Sequence, residues 1–153
     1  MARGAARGPG CDFGINVTQP PCADPGCAVC NICAASFDLR HAGSARRGGF
    51  FRYGEGLYFS RVSSKSNDYN EGSQRDNPRS LPAGRHRCMF MCKVAEGNAH
   101  RTRKDSLEEE EVNGLIDVRC EGGEHHSVVG LSVADGGTIN YEETVVYRNN
   151  AAI

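Results

Sequence analysis

Hydrophobic residues along this chain fall into short runs separated by glycine-rich turns. Residues 57–59 (Leu-Tyr-Phe) combine large apolar and aromatic side chains that suit a pleated strand. Residues 88–94 form an apolar run of strand length, which predicts a central strand buried on both faces. Three further runs also predict strands, at residues 116–118, 127–133 and 139–147.

Helical signals are fewer. Residues 34–45 show a modest apolar face at helical spacing, which predicts a helix. Ser63 or Ser64 can cap a second, short helix directly after the strand at residues 57–59. That helix would place Ser66 and Tyr69, three positions apart, on one face. A strand, a turn and a helix start would then gather these side chains around one cleft.

Composition narrows the class of protein. The 153 residues are 39% hydrophobic and 24% charged, which indicates one globular domain, and no apolar run approaches the ~20 residues of a membrane span. The net charge of −1 does not indicate nucleic-acid binding by bulk electrostatics, and we expect no membrane partner. No charged-then-apolar leader appears at the start, so we expect an intracellular protein, in the nucleus or the cytoplasm. In that setting cysteines are thiols or metal ligands before they are disulfides.

Five of the eight cysteines lie in a proline-rich insert at residues 11–33. The Cys-x2-Cys spacings within it let neighbouring thiolates reach one tetrahedral ion, and two earlier cysteines can complete the set. A structural zinc ion, a set of unligated buried thiols and a redox pair all remain open. The candidate metal ligands are Cys11, Cys22, Cys27 and Cys30, with Cys33 as the fifth member of the insert.

The most informative stretch is residues 54–69, where Gly-Glu-Gly-Leu-Tyr-Phe-Ser is followed by Ser-Ser-Lys-Ser-Asn-Asp-Tyr. Gly54 and Gly56 allow a positive φ or a close backbone approach that a side chain would prevent. On spacing alone, the segment is equally well explained as a strand–helix corner with a buried tyrosine.

This stretch resembles the signature of the poly(ADP-ribose) polymerase-type, diphtheria-toxin-like ADP-ribosyltransferases: Gly-x-Gly-Ile/Leu-Tyr-Phe, then Ser-Lys-Ser, then Tyr. Residues 140–147 (Asn-Tyr-Glu-Glu-Thr-Val-Val-Tyr) are similar to the family's Asn-Glu-x-x-Val-Tyr strand. Residues 88–98 resemble its central strand, which ends in Val-Ala-x-Gly-Asn. The resemblance implies an α+β fold with split antiparallel sheets around an NAD cleft and few short helices. It also implies a single catalytic domain over residues 1–153, trimmed at both ends, with the cysteine insert at 11–33.

The resemblance implies roles for residues that would hold NAD. Tyr58 and Tyr69 would sandwich the nicotinamide ring, and Ser66 would donate a hydrogen bond to the carboxamide oxygen. The backbone of Gly4 would complete the grip on the carboxamide. The function implied is transfer of ADP-ribose from NAD to a protein or other acceptor, with release of nicotinamide; the sequence does not identify the acceptor.

The catalytic carboxylate of the family aligns with Glu143 when Val146 and Tyr147 are placed on the family's Val-Tyr. Glu142 is its rival, and because successive strand residues point to opposite faces, only one of the two can enter the cleft. Lys65, between the two serines, would assist the acceptor.

Arg3 departs from the family pattern, because it stands where a histidine that binds the adenosine-side ribose of NAD is expected. Arginine is longer, permanently charged and only a donor. Two alternatives to an active transferase therefore remain. The domain is an inactive module that binds NAD or ADP-ribose, or it is a zinc-stabilised interaction domain in which the cysteine insert carries the function.

Overall fold

A computed structural model of the protein describes residues 11–16, 18–42, 51–67, 88–116 and 123–153. These residues form short elements in the order α1 (Ala28–Ala35), β1 (Leu57–Phe59), α2 (Ser63–Asn67), β2 (Ala99–Thr102), α3 (Glu109–Leu115), β3 (Ser127–Gly130) and β4 (Glu143–Val146). Single 3₁₀ turns lie at Leu39–His41, Val133–Asp135 and Asn149–Ala151. Among the described residues, none of the helices has the length and apolar character needed to cross a membrane.

The four strands form one mixed sheet in the order β1-β4-β3-β2. Strand β4 pairs antiparallel with both β1 and β3, whereas β2 runs parallel to β3. Every residue of the two central strands, β3 and β4, is buried, as expected of strands covered on both faces. A small sheet with a few short helices confirms the predicted α+β class.

The two faces of the sheet pack against different hydrophobic clusters. Val145 lies in the first cluster, with Val128 and Tyr147. Its neighbour Val146 lies in the second cluster, with Phe59. Because side chains alternate along a strand, odd-numbered residues of β4 share the face of the first cluster and even-numbered residues share that of the second.

Helix α3 begins within an acidic segment of the chain. Glu108 and Glu111 form a capping box, in which each side chain accepts a hydrogen bond from the backbone N–H of the other residue. Acidic residues in the first turn also favour the helix through its dipole. Val112 then buries its side chain in the first cluster, which fixes the helix on the sheet.

The prediction of a central strand at residues 88–94 is wrong. Side chains in this segment alternate between half-buried and exposed, and Met91 is 100% exposed. The segment lies beside the chain end, where the N–H of Lys93 donates to the carbonyl of Ile153 at 2.7 Å and the N–H of Ala95 donates to that of Ala151 at 2.7 Å. Alternate residues such as Phe90 pack on the second cluster. A run of apolar letters does not distinguish this one-sided packing from burial on both faces.

The helix predicted at residues 34–45 is misplaced. Helix α1 begins at Ala28, inside the cysteine insert, and ends at Ala35, because Ser36 takes a φ of 68° that cannot continue a right-handed helix. Its buried side chains include Val29 and Cys30, so the cysteines supply part of the apolar face.

The remaining elements lie at the positions predicted from the sequence, but most are shorter than predicted. Strand β1 and a short helix soon after it are confirmed, although Ser63 is the first residue of α2 and not its cap. The predicted strands at 127–133 and 139–147 shrink to β3 and β4, since Val133 begins a 3₁₀ turn. In the predicted strand at 116–118, Ile116 forms an isolated bridge with His125, and the other two residues lie outside the described ranges.

Candidate active site

The turn that leads into β1 requires both of its glycines. Gly54 has a φ of 72°, a left-handed conformation that side chains disfavour. A Cβ added to Gly56 would lie 2.5 Å from Cγ1 of Val145 and 3.0 Å from the carbonyl oxygen of Val146. The close approach at Gly56 is therefore made to β4, and it holds the turn against the strand that carries Glu143.

Tyr58 closes this turn with its hydroxyl group. The hydroxyl donates to the carbonyl of Gly54 at 2.8 Å and accepts from the N–H of Tyr53 at 3.0 Å. Tyr58 pairs with Val145 across the sheet, and paired residues point to the same face. The Tyr58 side chain therefore shares the face of Glu143, two residues before Val145 on β4.

Helix α2 carries two side chains with predicted roles, and one of them, Lys65, contacts this strand. Ser66 is 3% exposed, and its hydroxyl donates to the carbonyl of Val62 at 3.1 Å. The Nζ of Lys65 lies 3.0 Å from Oε1 of Glu143. The Ser-Lys-Ser motif thus connects α2 directly to the start of β4.

Glu143 is a buried carboxylate with cations on both oxygens. It is 5% exposed, and besides Lys65 it has the Nε of Arg52 3.9 Å from its Oε2. Arg52 is itself held by Asp105, because its Nη1 donates to the backbone carbonyl at 2.9 Å and contacts Oδ2 at 3.2 Å. Burial of a lone carboxylate would be costly, so these cations are what allow the charge to reside there.

Tyr53 lies beside this carboxylate and is fully buried. Its hydroxyl donates to the carbonyl of Lys104 at 3.0 Å. Burial, followed by the negative charge of Glu143, raises the pKa of Tyr53 to about 12. The ring fits only because residue 130 is glycine, since a Cβ there would lie 2.2 Å from the tyrosine hydroxyl oxygen.

Glu142 has different partners. Its Oε1 lies 3.1 Å from the Nε of Arg61, whose side chain is 71% exposed. The next even-numbered residue, Thr144, donates to Glu96 at 3.2 Å. The two adjacent glutamates therefore have different partners: Glu143 contacts two partly buried cations, and Glu142 contacts an exposed arginine.

The sequence model of the poly(ADP-ribose) polymerase catalytic domain matches residues 27–152, which is most of the chain. The chain belongs to this family. A comparison with curated proteins found no match. Membership gives the protein the ADP-ribosyltransferase fold and, at the level of the family, NAD⁺ as substrate.

Several residues assigned by the poly(ADP-ribose) polymerase resemblance cannot be placed. Tyr69, Arg3 and Gly4 lie outside the described residues. A ring-sized pocket formed by Tyr58, Ser66 and Tyr69 therefore stays a prediction, as do the roles of Arg3 and Gly4.

The cysteines selected as metal ligands come together. The Sγ atoms of Cys11, Cys22, Cys27 and Cys30 all lie within 4.8 Å of one another, a group that could hold a metal ion. Burial raises the pKa of the Cys30 thiol to about 12. Cys33, the fifth cysteine of the insert, is exposed and does not belong to the group.

Two contacts of the site escaped the sequence reasoning. Arg52 was given no role, although it stands two residues before the glycine turn and contacts Glu143. Lys65 was assigned a role toward the acceptor, which stays a prediction, and its ion pair with Glu143 was not predicted. The available signal was the position of both residues flanking β1, the strand next to the one that carries Glu143.

Proposed function

We propose that the protein is an NAD⁺ ADP-ribosyltransferase that moves ADP-ribose from NAD to a protein or other acceptor and releases nicotinamide. The observation that carries the proposal is the buried, cation-held Glu143 on the same sheet face as Tyr58, within a chain that matches the family over residues 27–152.

The reaction breaks the glycosidic bond between nicotinamide and ribose. Nicotinamide leaves with the electron pair of that bond, and positive charge develops on the ribose in an oxocarbenium-like state. The acceptor nucleophile then forms a bond to the same carbon and loses its proton. A fixed carboxylate beside the ribose stabilises the developing charge, and we assign this role to Glu143.

The other residues would position NAD and the carboxylate. Tyr58 and Tyr69 would hold the nicotinamide ring between them, and Ser66 would bind its carboxamide together with the backbone of Gly4. Lys65 would act as a positioning residue, because its ammonium group lies 3.0 Å from the Glu143 carboxylate and fixes the direction in which it points.

An inactive module that binds NAD or ADP-ribose is the second candidate, favoured by Arg3 at the position expected for histidine. Incubation of the purified chain with NAD separates the two. A transferase releases nicotinamide and leaves ADP-ribose on itself or on added protein, both readable by mass spectrometry. Saturable NAD binding by calorimetry with no nicotinamide released would contradict the transferase and support the binding module.

A further inference from the structure

Four cysteines from separate parts of the N-terminal region converge on one point. Cys11 and Cys22 come from the segment before α1, Cys27 stands at the N-cap of that helix, and Cys30 lies in its first turn. Cys11, Cys27 and Cys30 are buried, with Cys27 0% exposed.

The spacing of the sulfur atoms fits a tetrahedral ion. A zinc–sulfur bond of about 2.3 Å places tetrahedral sulfurs about 3.8 Å apart. Here Cys11 and Cys30 have their Sγ atoms 3.5 Å apart, and no pair in the group exceeds 4.8 Å. The sulfurs therefore need only small shifts to bind one ion.

A disulfide network explains the arrangement less well. Disulfides join sulfurs in pairs about 2.05 Å apart, whereas these four atoms are mutually close. The N–H of Cys22 also donates to Sγ of Cys30 at 3.2 Å. Backbone donors around the sulfur are typical of the outer shell of a thiolate site, where they stabilise the charge on the ligand.

We propose that Cys11, Cys22, Cys27 and Cys30 bind one zinc ion as four thiolates in a closed, structural site. Four protein ligands leave no position for water or substrate, which distinguishes a structural from a catalytic zinc. The ion joins Cys11 and Cys22, which precede the family match, to Cys27 and Cys30 at its beginning.

Aromatic side chains connect this site to the sheet. Phe90 packs against both the cysteine cluster and the second face of the sheet. Its ring meets Phe37, just after α1, edge-on at 5.9 Å, and Phe37 meets Phe59 of β1 at 5.5 Å. The zinc therefore fixes the start of α1, and this aromatic row fixes α1 against β1.

The test is metal content, which does not depend on transferase activity. The intact chain, expressed with zinc and purified without chelator, is expected to carry one zinc per chain by elemental analysis and native mass spectrometry. Replacement of zinc by Co²⁺ should give the visible absorption and thiolate charge-transfer bands of tetrahedral cobalt. This cobalt spectrum tests the native chain even if the variants do not fold.

Cys27→Ser should reduce bound zinc from one equivalent to near none and lower the Tm. Cys33→Ser is the matched control, because Cys33 lies on the same helix but is exposed and outside the group, and it should keep full zinc. The proposal is overturned by a native chain that binds neither zinc nor cobalt, by iron in place of zinc, by an intact mass that shows disulfides, or by equal zinc loss in both variants.

Discussion

The region around Glu143 and the cysteine cluster both bury ionisable groups, but they do so by different means. Glu143 meets Arg52 and Lys65, which are distant along the chain and are brought to it by the turn before β1 and by α2. The four cysteines lie within residues 11–30 and are gathered by a short loop and the first turn of α1.

The source of the balancing charge differs as well. At Glu143 the fold supplies its own cations, so the carboxylate is held without any added ligand. At the cysteines, four sulfur atoms converge, and in the proposed zinc site the positive charge that holds them as thiolates would come from the ion. The structure around Glu143 should therefore depend on the packing of the sheet, and the structure around the cysteines on the proposed zinc ion.

The largest expected effect follows from removing the zinc ion that we propose at the four cysteines. In zinc-finger peptides, binding of a structural zinc ion contributes roughly 10 kcal/mol or more to the free energy of folding. We expect this contribution to exceed the stability that packing alone gives to so small a cluster. In hydrogen–deuterium exchange after chelation, amides of α1 should lose protection while those of β3 and β4 keep theirs. Unchanged exchange in α1 would show that the cluster needs no ion, and equal loss in both regions would show that they are not separable.

Packing around Tyr53 gives the next effect, in the first region. Gly130→Ala places a Cβ 2.2 Å from the Tyr53 hydroxyl oxygen, and overpacking of this kind costs about 1–3 kcal/mol. Gly114→Ala is the control, because that residue lies in α3 with nothing within 4 Å of the added Cβ, and it should stabilise by about 0.5–1 kcal/mol. Urea unfolding of both variants measures the difference, and a Gly130→Ala protein as stable as the parent would contradict the packing described here.

The two cation–carboxylate pairs give effects of similar size or smaller. Lys65→Met leaves a buried Glu143 oxygen without its nearest cation and should cost about 1–3 kcal/mol. Arg61→Met removes an exposed partner of Glu142 and should cost less than about 1 kcal/mol. Unfolding free energies from denaturant titration test the order, and a larger loss for Arg61→Met would reverse the assignment of the enclosed pair.

Motifs predicted more of this molecule than hydrophobic runs did. The glycine turn and β1 were found because Gly54 needs a left-handed φ and Gly56 a close approach to β4, and both requirements select glycine in the sequence. The group of four cysteines was found because ligand chemistry and spacing restrict the choice.

The predictions that failed share a physical cause, since tertiary contacts determined the structure or the partner of these residues. Residues 88–94 are mostly apolar, but the sequence does not show which of their side chains are buried. The structure shows that the segment pairs with the chain end and exposes one side to solvent. Helix α1 was misplaced because the cysteine insert was not considered as part of a helix, although Cys30 lies on its buried face. The contact of Arg52 with Glu143 depends on the path of the chain between strands, which no local pattern records.

The most direct test of the account is nicotinamide release and ADP-ribose labelling by Glu143→Gln, measured beside Glu142→Gln and the parent protein. A carboxylate that stabilises charge only in the transition state is worth ~3–4 kcal/mol, or a few hundredfold in rate, with little effect on NAD binding. We predict that Glu143→Gln loses this activity and keeps its NAD affinity, while Glu142→Gln retains both. Loss of activity in Glu142→Gln with Glu143→Gln unaffected would contradict it.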